Sequence, residues 1–113
     1  MAGKVVDIEI SILPDENPDP SYLDQEGFED RKKAFARGDF NYIGVQAVAE
    51  VDINGSIQHI KSMGVWGVES DSGDAYLRNE VGKEEFNDLK GTLKDMGIKS
   101  IPAFKSVRLK HYV

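Results

Sequence analysis

The sequence predicts an α+β fold, a ferredoxin-like βαββαβ two-layer sandwich, from three observations. Residues 4 to 13 and 41 to 53 alternate apolar with polar or small side chains, the signature of strands with one buried face. Asn54-Gly55 directly follows the second run and precedes another, the strongest short-range hairpin signal because a type I′ turn needs positive φ at both positions. Two stretches with helical spacing flank this hairpin. The resulting order is strand, helix, strand, strand, helix, strand. An irregular α+β sandwich around a central β-hairpin is the alternative, because order alone does not place the helices.

In the first strand Val6, Ile8, Ile10 and Ile12 are expected inward, with Val5, Asp7, Glu9 and Ser11 outward. Pro14, Pro18 and Pro20 end it and open an acidic loop. Phe28, Arg31, Lys32 and Phe35 recur at helical spacing, predicting a helix over 24–37 that stops at Gly38. A second helix is predicted over 83–96, with Val81, Phe86, Leu89, Leu93 and Met96 on one stripe and Gly97 as its stop. A last, basic strand is predicted over 103–112 and placed beside the first, where Lys105, Arg108 or Lys110 would meet Asp7 and Glu9.

A two-residue turn at Asn54-Gly55 fixes the register of the central hairpin: Ala49 faces Ile60, Glu50 faces His59, Val45 faces Gly64, and Ile43 faces Trp66. Trp66 is therefore expected as a core anchor, with Gly64 and Gly67 explained by packing and a bulge or bend. Ser70, Asp71 and Ser72 are expected to cap a short helical turn running from Asp74 to Leu77.

Composition narrows the function classes. The chain has 113 residues, 40% hydrophobic and 30% charged, enough for one modest core, so a single domain over 1–113 is expected. With no cysteine, disulfides, thiolate nucleophiles and cysteine zinc sites are excluded. The first residues alternate apolar with acidic and show no signal-peptide core, and no apolar run is long enough for a membrane span; a cytoplasmic protein without membrane contact is expected. Fourteen basic against twenty acidic residues give a net charge of −6, which disfavours nucleic acid. The outer sheet face adds Asp7 and Glu9 and lacks stacking rings, against an RNA-binding sheet.

The segment ESDSGD brings Glu69, Asp71 and Asp74 together, but Gly73 stands where a calcium loop needs a second carboxylate or amide and no glutamate closes the loop. No metal or cofactor is expected. Ser70 and Ser72 lack a nucleophile elbow, neither His59 nor His111 is placed beside them, and GVWG is no phosphate cradle, so no catalytic residue is assigned and an enzyme is the lesser reading. On the outer face Tyr42, Val48, Met63 and Val65 form an expected apolar patch, a candidate surface for another protein or for a homodimer.

The segments YIGVQAVAEVDI, IQHIKSMGVWGVESDSGDAYL and EEFNDLKGTLKDMGI together resemble a group of small bacterial and phage proteins in which a strand ending in W-G-[IV]-E-S-D precedes a Tyr-Leu pair and a terminal helix. The resemblance covers about residues 40 to 98, brings no catalytic assignment, and singles out Trp66, Gly67, Glu69, Ser70, Asp71, Tyr76 and Leu77. The expected function is a protein-binding accessory or regulatory factor of bacterial or phage origin. The alternative is a small enzyme or a ligand- or metal-binding domain using the Glu69–Asp74 loop.

Overall fold

The computed structural model describes residues 3–113; Met1 and Ala2, part of the single-domain reading, lie outside the described residues. Five strands form one sheet: β1 (Lys4–Pro14), β2 (Tyr42–Ile53), β3 (Ser56–Lys61), β4 (Val65–Glu69) and β5 (Arg108–His111). α1 (Glu29–Ala36) lies between β1 and β2. α2 (Asp74–Tyr76) runs through a π turn at Leu77–Gly82 into α3 (Lys83–Asp95). The sheet order is β3-β2-β1-β5, with β4 also on β2, so the outer edge of β2 carries β3 along one half and β4 along the other.

This mixed α+β sheet is not ferredoxin-like. β1 and β2 are antiparallel neighbours joined through α1, where the expected topology needs a crossover. The physical reason lies in α1 itself: EDRKKAFA buries only Ala34, too little apolar surface to cover a sheet face. β5 does lie beside β1, but parallel to it, and Arg108 reaches Asp7 at 2.7 Å as the charge layout predicts. Residues 104–106 form a 3₁₀ turn, so the last strand is shorter than expected.

The core lies on one face. Ile8, Ile10 and Ile12 of β1 and the odd-numbered residues from Ile43 to Val51 of β2 pack against Leu77, Phe86, Leu89, Leu93, Ile98 and Val107. The predicted stripe of α3 is correct except for Met96, which is exposed at the C-cap. There the chain turns through left-handed Gly97; Ile98 N–H bonds back to the Leu93 carbonyl and its side chain closes the core. In β1 a bulge between Val5 and Asp7 turns Val5 inward and leaves Val6 out, the reverse of simple alternation.

A second cluster occupies the opposite face at the β2 N-terminal end: Leu23, Ala34, Phe40 and Tyr42 are buried with Tyr22, Phe28 and Phe35 around them. Tyr42 and Ile43 are strand neighbours, so their side chains take opposite faces. The two clusters therefore lie on opposite faces, with α3 over the core and α1 beside the second cluster, and not with both helices on one face. The molecule is long, 54 × 25 × 21 Å, as a twelve-residue central strand of about 36 Å at ~3.3 Å per residue requires.

The expected hairpin register holds from Ile53↔Ser56 to Val48↔Lys61, including Ala49↔Ile60 and Glu50↔His59. It then slips twice. Val45 faces Val65 instead of Gly64, and Ile43 faces Val68 instead of Trp66. Each slip adds one residue to the outer strand, and at each sits a left-handed glycine, Gly64 (φ 87°) and Gly67 (φ 74°). A one-residue slip exchanges the faces of all that follow, and a second restores them. Only Val65 and Trp66 are inverted: Val65 turns toward the core side and Trp66 turns out.

Trp66 is thus not a core anchor; it is 47% exposed and lies on Gly44, where a Cβ would come within 2.2 Å of its ring. Gly44→Ala is expected to lift the indole from the sheet, lowering stability by about 1–3 kcal/mol and shifting emission of the chain's single tryptophan to the red; equal melting temperature and unchanged emission would refute this placement.

Candidate functional site

The inverted dipeptide divides the outer face into two neighbourhoods. On one side, the loop and helix between β1 and β2, residues 15 to 41, form a strap over the second cluster. On the other, Met63 projects from the kink between β3 and β4.

The strap is held by the WGVESD segment. Val68 faces the core beside Ile43, so its neighbour Glu69 projects outward. There it accepts a hydrogen bond from Arg31 Nη2 at 2.5 Å and one from the Tyr22 hydroxyl. Since the single Tyr22 proton goes to Glu69, the Tyr42 hydroxyl, 2.8 Å away, is the donor to Tyr22. Asp71 takes Arg31 in a bidentate pair, at 2.9 and 3.0 Å. The same guanidinium lies over the Phe40 ring, 4.1 Å from its centroid.

Two pKa values record this geometry. Hydrogen bonding to Arg31 holds the Asp71 carboxyl below the usual carboxylate range. Burial, then hydrogen bonding to Glu69 and Tyr42, pushes the Tyr22 phenol well above that of a free tyrosine.

The serines of this segment serve the turn rather than a helix. Ser70 Oγ accepts the Asn41 N–H and Ser70 N–H bonds to the Asn41 carbonyl, both at 2.8 Å. Ser72 Oγ donates to the Glu69 carbonyl. Neither these serines nor Asp71 caps α2, whose N-cap is Gly73 without a side-chain bond. The expected capping role is therefore corrected: Ser70 and Asp71 are taken up by tertiary contacts and Ser72 by the local turn. Asp74 pairs with His111 at 3.0 Å, away from Glu69 and Asp71, so the four candidates Trp66, Glu69, Asp71 and Asp74 do not converge. Among the described residues no group of three or more His, Asp or Glu is arranged to hold a metal.

The kink is held from below. Glu85, only 5% exposed, points from the first turn of α3 into the gap between β3 and β4. Its Oε1 accepts the Ser62 hydroxyl and the Gly64 N–H, each at 2.8 Å, and Ser62 Oγ in turn accepts the Ala47 N–H at 2.9 Å. Both neighbours of Met63 are fixed, the Met63 carbonyl accepts Trp66 Nε1–H at 3.2 Å, and its side chain is 93% exposed. Ser62 and Gly64 are both tied to the Glu85 carboxylate, so the backbone that carries the outward methionine is held on either side.

The expected patch of Tyr42, Val48, Met63 and Val65 is not one surface. Tyr42 is 5% exposed beneath the strap. Val48 is half-buried in a polar groove that also carries Asp7, Glu9, Glu50, His59 and Lys61. Val65 turns to the core side by the inversion, so of the expected four only Met63 stays outward, joined there by Trp66. Sequence reasoning missed Arg31, Tyr22 and Glu85. Only Glu85 left a signal: it lies four residues before Leu89, beside the apolar stripe of α3.

In comparisons with protein-family models, curated proteins and solved structures, nothing matches this chain. Among the described residues no helix is long and apolar enough to cross a membrane.

Two outcomes follow from these contacts. Glu85→Ala leaves Ser62 and Gly64 without their charged acceptor and is expected to cost about 1.5–3 kcal/mol in urea unfolding; a loss below ~0.5 kcal/mol would contradict the role assigned to it. Asp71 has a folded pKa below its unfolded one, so its stabilisation is present above about pH 4 and is lost as pH falls through the depressed value. Amide protection in residues 22–36, corrected for intrinsic exchange, should be level from pH 5 to 8 and fall below about pH 4. Asp71→Asn should lower it already at neutral pH, with Ile10 and Val45 unaffected. Equal protection in the variant would show that the Arg31 clamp does not hold the strap.

Proposed function

We propose that this protein works by binding another protein, as an accessory or regulatory factor of bacterial or phage origin, through the sheet edge around Met63. The observation that carries this reading is the fixed display of Met63, 93% exposed between two residues bonded to a buried carboxylate. An apolar side chain on a held backbone gives an incoming partner an anchor that needs little further ordering. Trp66, turned out by the inversion, extends the apolar surface along β4. β3 and β4 both pair with β2 on one side, and among the described residues no strand lies on their other side, so the edge is open for strand addition.

The enzymatic or metal-binding alternative draws on Glu69, Asp71 and Asp74, whose carboxylates are engaged by Arg31 and His111. No observation favours it over the structural role.

Met63→Glu tests the proposal. An exposed substitution of this kind changes stability by about 0.5 kcal/mol or less, so the variant should melt with the native chain. A tagged native chain should recover from a bacterial lysate a partner, identified by mass spectrometry, that the variant does not. If sedimentation shows a Met63-dependent homodimer, the partner is a second copy. Identical recovery and identical sedimentation by the two chains would end this reading.

A further inference from the structure

We propose that the cleft between Trp66 and the loop following β1 receives a cationic side chain of the partner, an arginine, in an inference that rests on the protein-binding reading above. The cleft is lined by Leu13, Pro14, Asp15, Glu16, Asn17 and Trp66. One face of the indole rests on Gly44 and its N–H is taken by the Met63 carbonyl, which leaves the other face to the cleft.

The carboxylate beside that face is held in place. Asp15 Oδ2 accepts the N–H of Gly67, the residue next to Trp66, at 2.8 Å, and Oδ1 accepts the Asn17 N–H at 3.0 Å. These two bonds orient the carboxylate but leave its negative charge uncompensated, because both donors are neutral amides. Glu16 adds a second, exposed carboxylate. Among the described residues no Lys, Arg or His forms an ion pair with Asp15 or Glu16, although Asp7, Asp24, Asp39, Glu50, Glu69, Asp71 and Asp74 all have such partners.

The fold shows what this constellation accommodates. About Arg31 it sets a guanidinium over the face of Phe40 while Asp71 takes it edge-on, with Glu69 beside it. Arg78 likewise lies over Phe104, 4.4 Å from the ring centroid, with Nε and Nη2 on backbone carbonyls and Nη1 on the Asn79 side-chain oxygen. The Trp66 cleft presents an aromatic face and an oriented carboxylate in the same combination, and since among the described residues no cation pairs with that carboxylate, the proposed cation is the partner's. A guanidinium suits it better than an ammonium, because it is planar, stacks on an indole and pairs with a carboxylate through two parallel bonds. The net charge of −6 draws such a partner in. An arginine there would sit next to the apolar contact at Met63.

Trp66 is the chain's single tryptophan, so its fluorescence reads the cleft directly. Capped tetra-arginine peptide, titrated at low salt, should quench it saturably, with capped tetra-lysine several-fold weaker and tetra-glutamate without effect. The double variant Asp15→Asn, Glu16→Gln should weaken tetra-arginine binding about tenfold, with its fold checked by circular dichroism. The double variant Glu80→Gln, Glu84→Gln, which removes the same charge elsewhere, should bind within twofold of the native chain. Absence of saturable quenching, quenching retained by the Asp15/Glu16 variant, or equal response to tetra-lysine would overturn the assignment. Met63-dependent capture of a partner in that case would leave the protein-binding reading standing, so the two fail separately.

Discussion

Between Gly64 and Gly67 the outer strand slips by two residues against β2, and the contacts of the outer face depend on how those two residues are divided. Both inserted together would kink the strand and leave its alternation unchanged. One before Val65 and one after Trp66 invert this dipeptide alone and return Val68 to the core and Glu69 to the outside. Left-handed backbone is required at both ends, which is why glycine occupies both. The inversion also needs a flat place on β2 for the indole, and Gly44 supplies it.

From this local constraint the two sides of the outer face acquire different characters. Toward the strap, Glu69 and Asp71 face an arginine and two tyrosines of the same chain, and the aromatic cluster beneath is sealed. α1 buries little by itself, so that seal depends on side-chain pairing more than on helix packing. Toward the hairpin, the strand break is stitched to α3 by Glu85, a buried carboxylate with both donors in place. The cost of desolvating that carboxylate is offset by two charge-assisted bonds. What remains outward, Met63 and Trp66, is apolar and held, and it borders the Asp15 carboxylate.

Much of the fold was legible in the sequence because period-2 and period-3.6 patterns report burial directly. β1, β2, the Asn54-Gly55 turn, the ladder down to Lys61, and the α3 stripe with its Gly97 stop all follow from them. The pattern failed where a single residue changes the face. The bulge at Val6 and the pair of slips around Val65-Trp66 leave no trace in hydrophobicity, since Val5 and Val6 are alike and Trp suits either face. The topology failed for another reason: helical spacing in α1 gave no measure of how little that helix buries. The site residues were half legible. Glu69 and Asp71 stood out as carboxylates, but their partner Arg31 lies about forty residues away and only the folded chain brings it near.

The measurement that bears most directly on the central claim is a nuclear Overhauser spectrum of the aromatic protons of Trp66. The inverted dipeptide predicts cross-peaks from the indole to the Gly44 Hα protons, with those protons shifted upfield by the ring beneath which they lie. Cross-peaks from the indole to the methyls of Ile43 and Val68 would place Trp66 in the core, and would contradict the inversion together with the surface built on it.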